Sequence, residues 1–317
     1  MDLSKKRILV TGGRGFIGSA LVTNLVEKRE VPQENIVIPD KKKDDLRVLE
    51  NAKRLVREHK PDVIIHLAAV VGGVGYSSQF PATQYYNNVL MDLQIVEAAR
   101  ENLKTKVVLV SSSCAYPRDT EYPMKEEYIW DGLPQETNRA YGIAKRIQLA
   151  QAEAYQQEHG MNIVVVVPNN AYGPGDNFDP ESSHVIPSLV RKCLEGQTPL
   201  VVWGDGTPTR DFLYVKDFVE GVILTAEKLE PEHGHINLGS GVETKISDLV
   251  STIARLTGYK GDVVYDKTKP NGQPRRSVSI ERAERTLGFK PEYELERGLT
   301  ETIEWYKKYS YRGTSPA

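Results

Sequence analysis

A glycine-rich segment near the start of the chain constrains the fold more than any other feature. Residues 12–18 read Gly-Gly-Arg-Gly-Phe-Ile-Gly and follow Arg7–Thr11, an apolar run typical of a buried strand. The apolar positions that come next recur with helical spacing, at Phe16, Ile17, Ala20, Leu21 and Leu25. A glycine loop between a first strand and a first helix is the arrangement with which doubly wound α/β folds hold a dinucleotide.

The glycines of this loop have separate expected roles. Gly12 permits the tight turn, Gly15 lets the backbone approach a pyrophosphate, and Gly18 lets the helix pack closely on the strand. The free N–H groups at the helix N-terminus would then face the phosphates. We therefore predict cofactor contacts from Gly12, Arg14, Gly15, Phe16, Ile17 and Gly18. The alternative is a turn that serves packing alone.

Strands and helices alternate through the first half of the chain. Strands are predicted at Asn35–Ile38, Asp62–His66, Lys106–Val110 and Asn162–Val167, and helices at Leu46–Glu58, Thr83–Glu101 and Asn138–Glu158. Unbroken Val/Ile runs between helices predict a Rossmann-type α/β fold, with a doubly wound parallel sheet covered on both faces. We expect residues 1–168 to form the dinucleotide-binding domain, with 212–236 returning to it. Residues 169–211 and 237–317 would form a smaller α+β substrate-binding lobe.

The pattern is looser after Pro168, where Gly and Pro residues indicate a long loop. Asp217 and Glu220 have the spacing of an N-terminal capping box for a helix over Phe218–Lys228. Further helices are predicted at Ser188–Glu195, Ile246–Thr257 and Leu295–Lys308.

Composition excludes several classes of protein. The 317 residues carry a net charge of −2, which argues against a nucleic-acid binder or a membrane-surface protein. No apolar run is long enough to span a bilayer, and no signal-peptide core precedes the first strand. The two cysteines make no disulfide framework, and no Cys/His cluster has the spacing of metal ligands. We expect a cytoplasmic protein without a metal site.

Tyr141 and Lys145 are four residues apart and would share one face of a helix. The ammonium of Lys145 would lower the pKa of the Tyr141 phenol, so that the phenol could exchange a proton with a ketone or sugar oxygen. Residues 111–113 are serines that directly follow a predicted strand, and one hydroxyl could bond the same oxygen. A solvated helix face is the alternative for such a pair, and the glycine loop favours the catalytic interpretation.

The residues after the second strand bear on the choice of cofactor. Asp40 lies about twenty residues beyond the glycine loop, where an acid would bind a ribose 2′-hydroxyl and favour NAD. Arg14 and the lysines at 41–43 favour a 2′-phosphate, although a solvated loop would also explain the lysines. We favour NADP(H).

Several motifs together resemble the extended short-chain dehydrogenase/reductase family, and they extend over nearly the whole chain. They are Gly12–Gly18, His66–Ala69, Ser111–Ser113, Tyr141–Lys145 and Arg210–Val215. The resemblance implies that Ser112, Tyr141 and Lys145 form a reductase triad. It also implies a homodimer in which the helices at Thr83–Glu101 and Asn138–Glu158 form a four-helix contact.

Other segments are similar to one branch of that family, which converts GDP-4-keto-6-deoxy-D-mannose to GDP-L-fucose. Enzymes of this branch epimerise C3 and C5 of the sugar and reduce C4 with NADPH. The segments are Val71–Gly73, Ser112–Pro117, Pro168–Pro174, Asp176–Phe178 and Ser183–Pro187. The resemblance implies that Cys114 and His184 are the acid/base pair of the epimerisation. A small buried thiol and a loop histidine are the alternatives.

The predicted site extends beyond these residues. Further cofactor contacts are expected from Asp40, Lys41, Lys43, Asp45, Leu46, Leu67, Ala68, Ala69, Pro168, Asn170 and His184, in addition to Tyr141 and Lys145. The resemblance also implies that Lys192, Trp203, Arg210 and Asn271 contact the GDP-sugar. Contacts with it are further expected from Ser112, Ser113 and Arg276, and Arg275 is another cation that could face the diphosphate. Lys192 and Asn271 stand where the resemblance leads us to expect Arg and Asp, and a lysine holds a phosphate only as a point charge.

Two other functions are compatible with the sequence. A related NDP-sugar epimerase or dehydratase would keep NAD tightly bound and show no net redox change. A regulatory protein that senses a dinucleotide could use the same fold without catalysis. The combination of Ser112, Tyr141 and Lys145 argues against the regulator, which does not need a proton-transfer group.

Overall fold

The computed structural model describes residues 1–269 and 271–309. Its strands are β1 (Ile8–Thr11), β2 (Ile36–Val37), β3 (Val63–His66), β4 (Lys106–Val110), β5 (Ile163–Pro168), β6 (Asn170–Tyr172), β7 (Leu200–Trp203), β8 (Thr209–Tyr214), β9 (Ile236–Leu238), β10 (Glu243–Lys245), β11 (Val263–Asp266) and β12 (Arg275–Arg276). Its α-helices are α1 (Phe16–Glu27), α2 (Leu49–His59), α3 (Val74–Gln79), α4 (Pro81–Ala99), α5 (Arg139–His159), α6 (Val185–Leu194), α7 (Val215–Lys228), α8 (Ile246–Thr257), α9 (Glu281–Leu287) and α10 (Leu295–Tyr309).

The main sheet has six parallel strands in the order β2-β1-β3-β4-β5-β9. Alternate residues of each strand point to opposite faces, and both faces are covered. Ile8 and Val10 pack on the side of α1 and α7, whereas Leu9 packs on the side of α2, α4 and α5. Burial on both faces explains the unbroken apolar runs and confirms the predicted Rossmann-type α/β class.

A second, smaller group of strands lies at the carboxyl end of the main sheet. β8 pairs with β10 in antiparallel register and with β6 and β12 in parallel register, while β7 pairs with β11. Helix α7 then packs against α1, and β9 pairs with β5 in the main sheet. The chain therefore rejoins the main sheet over 215–238, whereas 212–214 belong to β8 of the second group.

The predicted capping box is wrong. Helix α7 begins at Val215, before Asp217, and the Asp217 carboxylate accepts hydrogen bonds from the backbone N–H groups of Glu292 and Tyr293, each at 3.0 Å. Glu220 pairs instead with Arg29 of the α1–β2 connection at 2.5 Å. Tertiary partners thus satisfy both carboxylates, which the local spacing could not reveal.

The other predicted helices and strands are present with shifted ends, and the short strands β6–β12 were not predicted. Strands of two to six residues carry little periodic signal, and their pairing partners lie far away in the chain. Among the described residues, no helix combines the length and hydropathy that crossing a bilayer requires.

Candidate active site

The glycine loop forms a tight cradle between β1 and α1. Gly12 has a φ of 71°, and the Gly15 N–H donates to the Gly12 carbonyl at 2.9 Å. A Cβ on Gly12 would lie 2.9 Å from the Ala68 nitrogen, and a Cβ on Gly18 would overlap the Gly12 carbonyl oxygen. The segment 67–69 therefore lies directly beside the loop, as the predicted cofactor contacts require.

The loop after β2 contains five of the predicted cofactor residues, Asp40, Lys41, Lys43, Asp45 and Leu46. Arg14 Nη1 lies 3.9 Å from Asp40 Oδ2, and both side chains are largely exposed. Lys41 and Lys43 are exposed nearby. The loop after β2 therefore places Asp40 and two lysines near Arg14, which lies in the glycine loop just before α1.

Two predicted cofactor residues have structural partners instead. Asp45 accepts a hydrogen bond from Arg47 Nε at 2.9 Å, and hydrogen bonding by Arg47 lowers the pKa of Asp45 to about 2. The side chain of Leu46 is buried in the hydrophobic cluster that contains Ala52 and Leu55 of α2. In this conformation Arg47 therefore engages the carboxylate of Asp45 and the core encloses the side chain of Leu46, and their contacts with a cofactor stay a prediction.

The three predicted triad residues meet at the carboxyl end of β4. Ser112 is the second residue after the strand, and Tyr141 lies in the first turn of α5, with its hydroxyl hydrogen-bonded to Ser112. Burial raises the pKa of Tyr141 well above its ordinary value; the nearby Cys114 adds to the shift, and the Ser112 hydrogen bond opposes it. Tyr141 is therefore protonated at neutral pH.

Lys145 does not lower the pKa of Tyr141 as expected. Its Nζ donates to the Val110 carbonyl at 3.1 Å and lies 4.0 Å from Asp92 Oδ1. Burial lowers the pKa of Lys145, and the charge of Asp92 opposes that shift. The ammonium is directed towards a buried carboxylate, so burial is the dominant influence on both groups of the predicted pair.

A buried polar chain that the sequence analysis did not predict lies behind Lys145. His66 Nε2 lies 2.9 Å from Asp92 Oδ1, and His66 Nδ1 lies 2.7 Å from Thr11 Oγ1, with all three side chains inaccessible to solvent. Thr11 Oγ1 in turn accepts a hydrogen bond from the Ala68 N–H at 3.2 Å. The only hint in the sequence is one acidic residue, Asp92, on a helix face that faces the core.

Cys114 and His184 face the same guanidinium group. Cys114 lies in a short turn after Ser112, and its Sγ accepts a hydrogen bond from Arg276 Nη1 at 3.2 Å. His184 immediately precedes α6 and keeps part of its surface exposed, and the region bordered by Cys114, His184 and Arg276 is called the cleft. Desolvation by the surrounding protein lowers the pKa of His184, and the charge of Arg276 lowers it further.

Arg210 and Arg276 form a cationic pair at this cleft. They lie opposite each other in the register of β8 and β12. Burial lowers the pKa of Arg210 to about 9, and Arg276 adds to this shift. Arg275 differs, because Glu243 accepts a hydrogen bond from its Nε at 3.0 Å. Of the two neighbouring arginines on β12, only Arg276 therefore faces the cleft residues.

The remaining predicted substrate residues divide into two groups. Trp203 is half exposed on β7, where the side chain of Lys269 approaches its ring at 5.5 Å. In contrast, Lys192 donates to the Val201 carbonyl at 3.1 Å, and Asn271 accepts from the Asp205 N–H at 2.9 Å. These two side chains hold the ends of β7.

Two predicted contacts beside the strand ends also have internal partners. Ser113 is buried, and its hydroxyl donates to Asn169 Oδ1 at 3.0 Å. Asn170 is the second residue after Pro168, at which β5 ends, and its Nδ2 donates to the Asp211 carbonyl at 3.1 Å. They connect the main sheet to the second group of strands, and Ser113 is shielded from substrate.

The family assignment follows from a comparison of this architecture and sequence with known proteins. The model of the NAD-dependent epimerase/dehydratase family matches residues 8–239, which include the glycine loop, Ser112, Tyr141 and Lys145. The chain belongs to this family. The resemblance to extended short-chain dehydrogenases/reductases is thereby confirmed, and the epimerase/dehydratase fold accounts for the parallel sheet.

Individual members of the epimerase/dehydratase family are similar over nearly their full lengths. The GDP-L-fucose synthase of Sinorhizobium fredii is 37% identical, over 95% of this chain and 96% of its own. The GDP-L-fucose synthase of Escherichia coli is 36% identical, over 96% and 97% of the two chains. A crystal structure of a GDP-L-fucose synthetase from Naegleria fowleri bound to NADP has a TM-score of 0.85 at 29% identity, covering 98% of this chain and 96% of that one.

Proposed function

We propose that this protein uses NADPH to convert GDP-4-keto-6-deoxy-D-mannose to GDP-L-fucose, by epimerisation at C3 and C5 and reduction at C4. One observation supports this most directly: Cys114 lies in the same cleft as the Ser112–Tyr141 pair. A thiol beside a reductase pair supplies a second proton-transfer group, which simple reduction does not require. The two full-length bacterial relatives support the choice of substrate.

The cradle of the glycine loop fits a dinucleotide. At Gly12 and Gly18 a Cβ would occupy space needed by the backbone, so the turn keeps the helix N-terminus open to a pyrophosphate. When bound, NADPH supplies the hydride for reduction at C4. We assign its 2′-phosphate to Arg14, Lys41 and Lys43, because these cations surround the position where an NAD-specific site presents only an acid.

The reduction needs a proton for the oxygen at C4. Ser112 would hydrogen-bond that oxygen, and Tyr141 would donate its proton as negative charge develops there. The raised pKa of Tyr141 keeps the phenol protonated before the reaction. Lys145 would hold the nicotinamide ribose.

The epimerisation uses the ketone at C4, which acidifies the C–H bonds at C3 and C5. A base on one face of the sugar removes a proton, and an acid on the other face returns one. Cys114 and His184 would divide these roles, because a thiol and an imidazole both titrate within reach of neutral pH.

Arg210 would neutralise the diphosphate, and Trp203 offers a flat surface to guanine or the sugar.

The test is incubation of the purified protein with GDP-4-keto-6-deoxy-D-mannose and NADPH in D₂O, followed by mass spectrometry and NMR. GDP-L-fucose with deuterium at C3 and C5 would establish both steps. Reduction without deuterium would leave a 4-reductase and remove the roles of Cys114 and His184. Deuterium without reduction, or stoichiometric NAD in the purified protein, would identify an epimerase or dehydratase instead. Absence of any reaction would favour the regulatory alternative.

We also propose a cytoplasmic homodimer that pairs through α4 and α5. Tyr85 and Tyr86 are exposed on α4, and their side chains would be covered in a four-helix contact. Cys114 and Cys193 are both free thiols, as a reducing compartment would keep them.

A further inference from the structure

The sulfur of Cys114 has an arginine partner that is itself held in place. Arg276 Nη1 donates to Sγ at 3.2 Å, and Arg276 Nε donates to Gln273 Oε1 at 3.1 Å. Gln273 is buried, and its Nε2 donates to the Tyr122 hydroxyl at 2.8 Å. Gln273 therefore fixes the position of the Arg276 guanidinium through Nε, while Nη1 is left to contact the thiol of Cys114.

The charge of Arg276 has no carboxylate partner within 4.0 Å in the parts of the chain at 1–269 and 271–309. Its neighbour Arg275 is paired with Glu243, so the two differ in electrostatic environment as well as in direction. The charged and titratable groups around Cys114 and Arg276 include Tyr141 from α5, Arg210 from β8, His184 before α6 and Tyr122, which accepts from Gln273. Cys114 Sγ accepts a hydrogen bond from the Arg276 guanidinium and, as an anion, could neutralise its charge.

We propose that Arg276 is a positioning residue that holds Cys114 as a thiolate directed into the cleft. The inference rests on the proposed function, because a base at Cys114 is needed only for epimerisation. A thiolate is the basic form of cysteine, and a guanidinium stabilises it by a charge-assisted hydrogen bond.

The proton balance of the step is simple. The thiol proton passes to solvent before substrate binds, and the thiolate then takes the proton from C3 or C5. The electron pair of that C–H bond shifts towards the ketone oxygen, and Cys114 becomes a neutral thiol. Arg276 stays charged throughout, and its five N–H donors leave others free for a phosphate oxygen.

The test compares the alkylation of Cys114 by iodoacetamide in the wild type, Arg276→Gln and Arg275→Gln, without any sugar. Mass spectrometry of the peptide that contains Cys114 separates its rate from that of the buried Cys193. For each protein the rate at about pH 7 is divided by the rate at about pH 10, where thiols are largely ionised, so that differences in access cancel. We expect this ratio to fall about tenfold in Arg276→Gln and to stay at the wild-type value in Arg275→Gln, because only Arg276 contacts the sulfur.

Arg276→Lys restores the charge but not the fork geometry, and we expect it to recover part of the ratio. Circular dichroism and binding of NADPH establish that each variant is folded. An unchanged ratio in folded Arg276→Gln would overturn the inference, and so would an equal fall in Arg275→Gln. The alkylation assay contains no sugar, so its result does not depend on turnover. If the alkylation ratios are as expected but the protein does not convert the GDP-sugar, the proposed function is wrong and the role of Arg276 still stands.

Discussion

Lys145 Nζ lies 4.0 Å from Asp92 Oδ1, and both side chains are buried behind the cleft. His66 contacts the same carboxylate oxygen and connects it to Thr11, the residue before the glycine loop. Two competing influences act on Lys145, because burial lowers its pKa and Asp92 raises it. Asp92 therefore favours the charged form of Lys145 beside the place where the ribose and the Tyr141 phenol would meet.

Replacement of Asp92 by asparagine should narrow the pH range of the reduction. Burial would then act on Lys145 unopposed, its pKa would fall, and the ammonium would lose its proton at lower pH. We expect the alkaline limb of the pH–rate profile for C4 reduction to move to lower pH, while deuterium exchange at C3 and C5 keeps its profile. Asp217→Asn is the matched control, since it removes another carboxylate with structural partners without touching Lys145. Identical profiles for Asp92→Asn and the wild type would contradict the role given to Asp92.

Removal of the Tyr141 hydroxyl should separate the two reactions. Tyr141→Phe deletes the proton donor for the C4 oxygen, so reduction should slow by roughly 10²–10⁴-fold. Deuterium exchange at C3 and C5 should persist, because it depends on other groups. Tyr155→Phe is the control on the same helix; that hydroxyl donates to Glu97 at 2.9 Å, far from the cleft. If exchange and reduction fell together in a folded Tyr141→Phe protein, the assignment of Tyr141 to the reduction alone would be wrong.

The cysteine should show the opposite behaviour. Cys114→Ser replaces a thiol with a much weaker acid, so the exchange of deuterium at C3 and C5 should slow by about a hundredfold or more. Reduction of a substrate already epimerised should be affected far less. Cys193→Ser changes the other thiol, which is buried away from the cleft in α6, and should leave exchange near the wild-type rate. Normal exchange in Cys114→Ser would exclude Cys114 as the essential base.

Arg14 should control the choice between the two cofactors. Arg14→Ala removes a guanidinium from the position assigned to the 2′-phosphate, and the KM for NADPH should rise about tenfold. The KM for NADH should change little, because NADH carries a hydroxyl there. Lys42→Ala is the control, since it removes a charge from the loop that contains Lys41 and Lys43 without removing an assigned contact. Equal increases for NADPH and NADH would show that Arg14 does not recognise the phosphate.

The proposed dimer depends on the exposed face of α4. Tyr86, 61% exposed, lies on that helix, and Tyr86→Asp would place a charge in the contact. We expect dimers of the wild type and a shift towards monomer for Tyr86→Asp in multi-angle light scattering at micromolar concentration. Val242→Asp, at a position 63% exposed in the turn before β10, is the control and should remain dimeric. A monomeric wild type would refute the dimer.

Local patterns in the chain were sufficient to predict much of this protein. The glycines at 12, 15 and 18 lie between an apolar run and an amphipathic segment, and this pattern alone predicted the cradle and the class of fold. The four-residue spacing of Tyr141 and Lys145 likewise predicted that both lie on one helix. Such predictions succeed because the periodicity of a single helix or strand depends only on residues that are close together in the sequence.

Tertiary packing alone determined which charged groups lie next to one another in the site. Cys114 and Arg276 are separated by 162 positions, yet the pairing of β12 with β8 brings the guanidinium to the sulfur. Packing of α4 against α5 likewise brings Asp92 to Lys145, where burial lowers the pKa of Lys145 and the charge of Asp92 opposes that shift. Neither contact has a signature in sequence spacing, because desolvation and Coulomb energy depend on distances between elements that only the complete fold establishes.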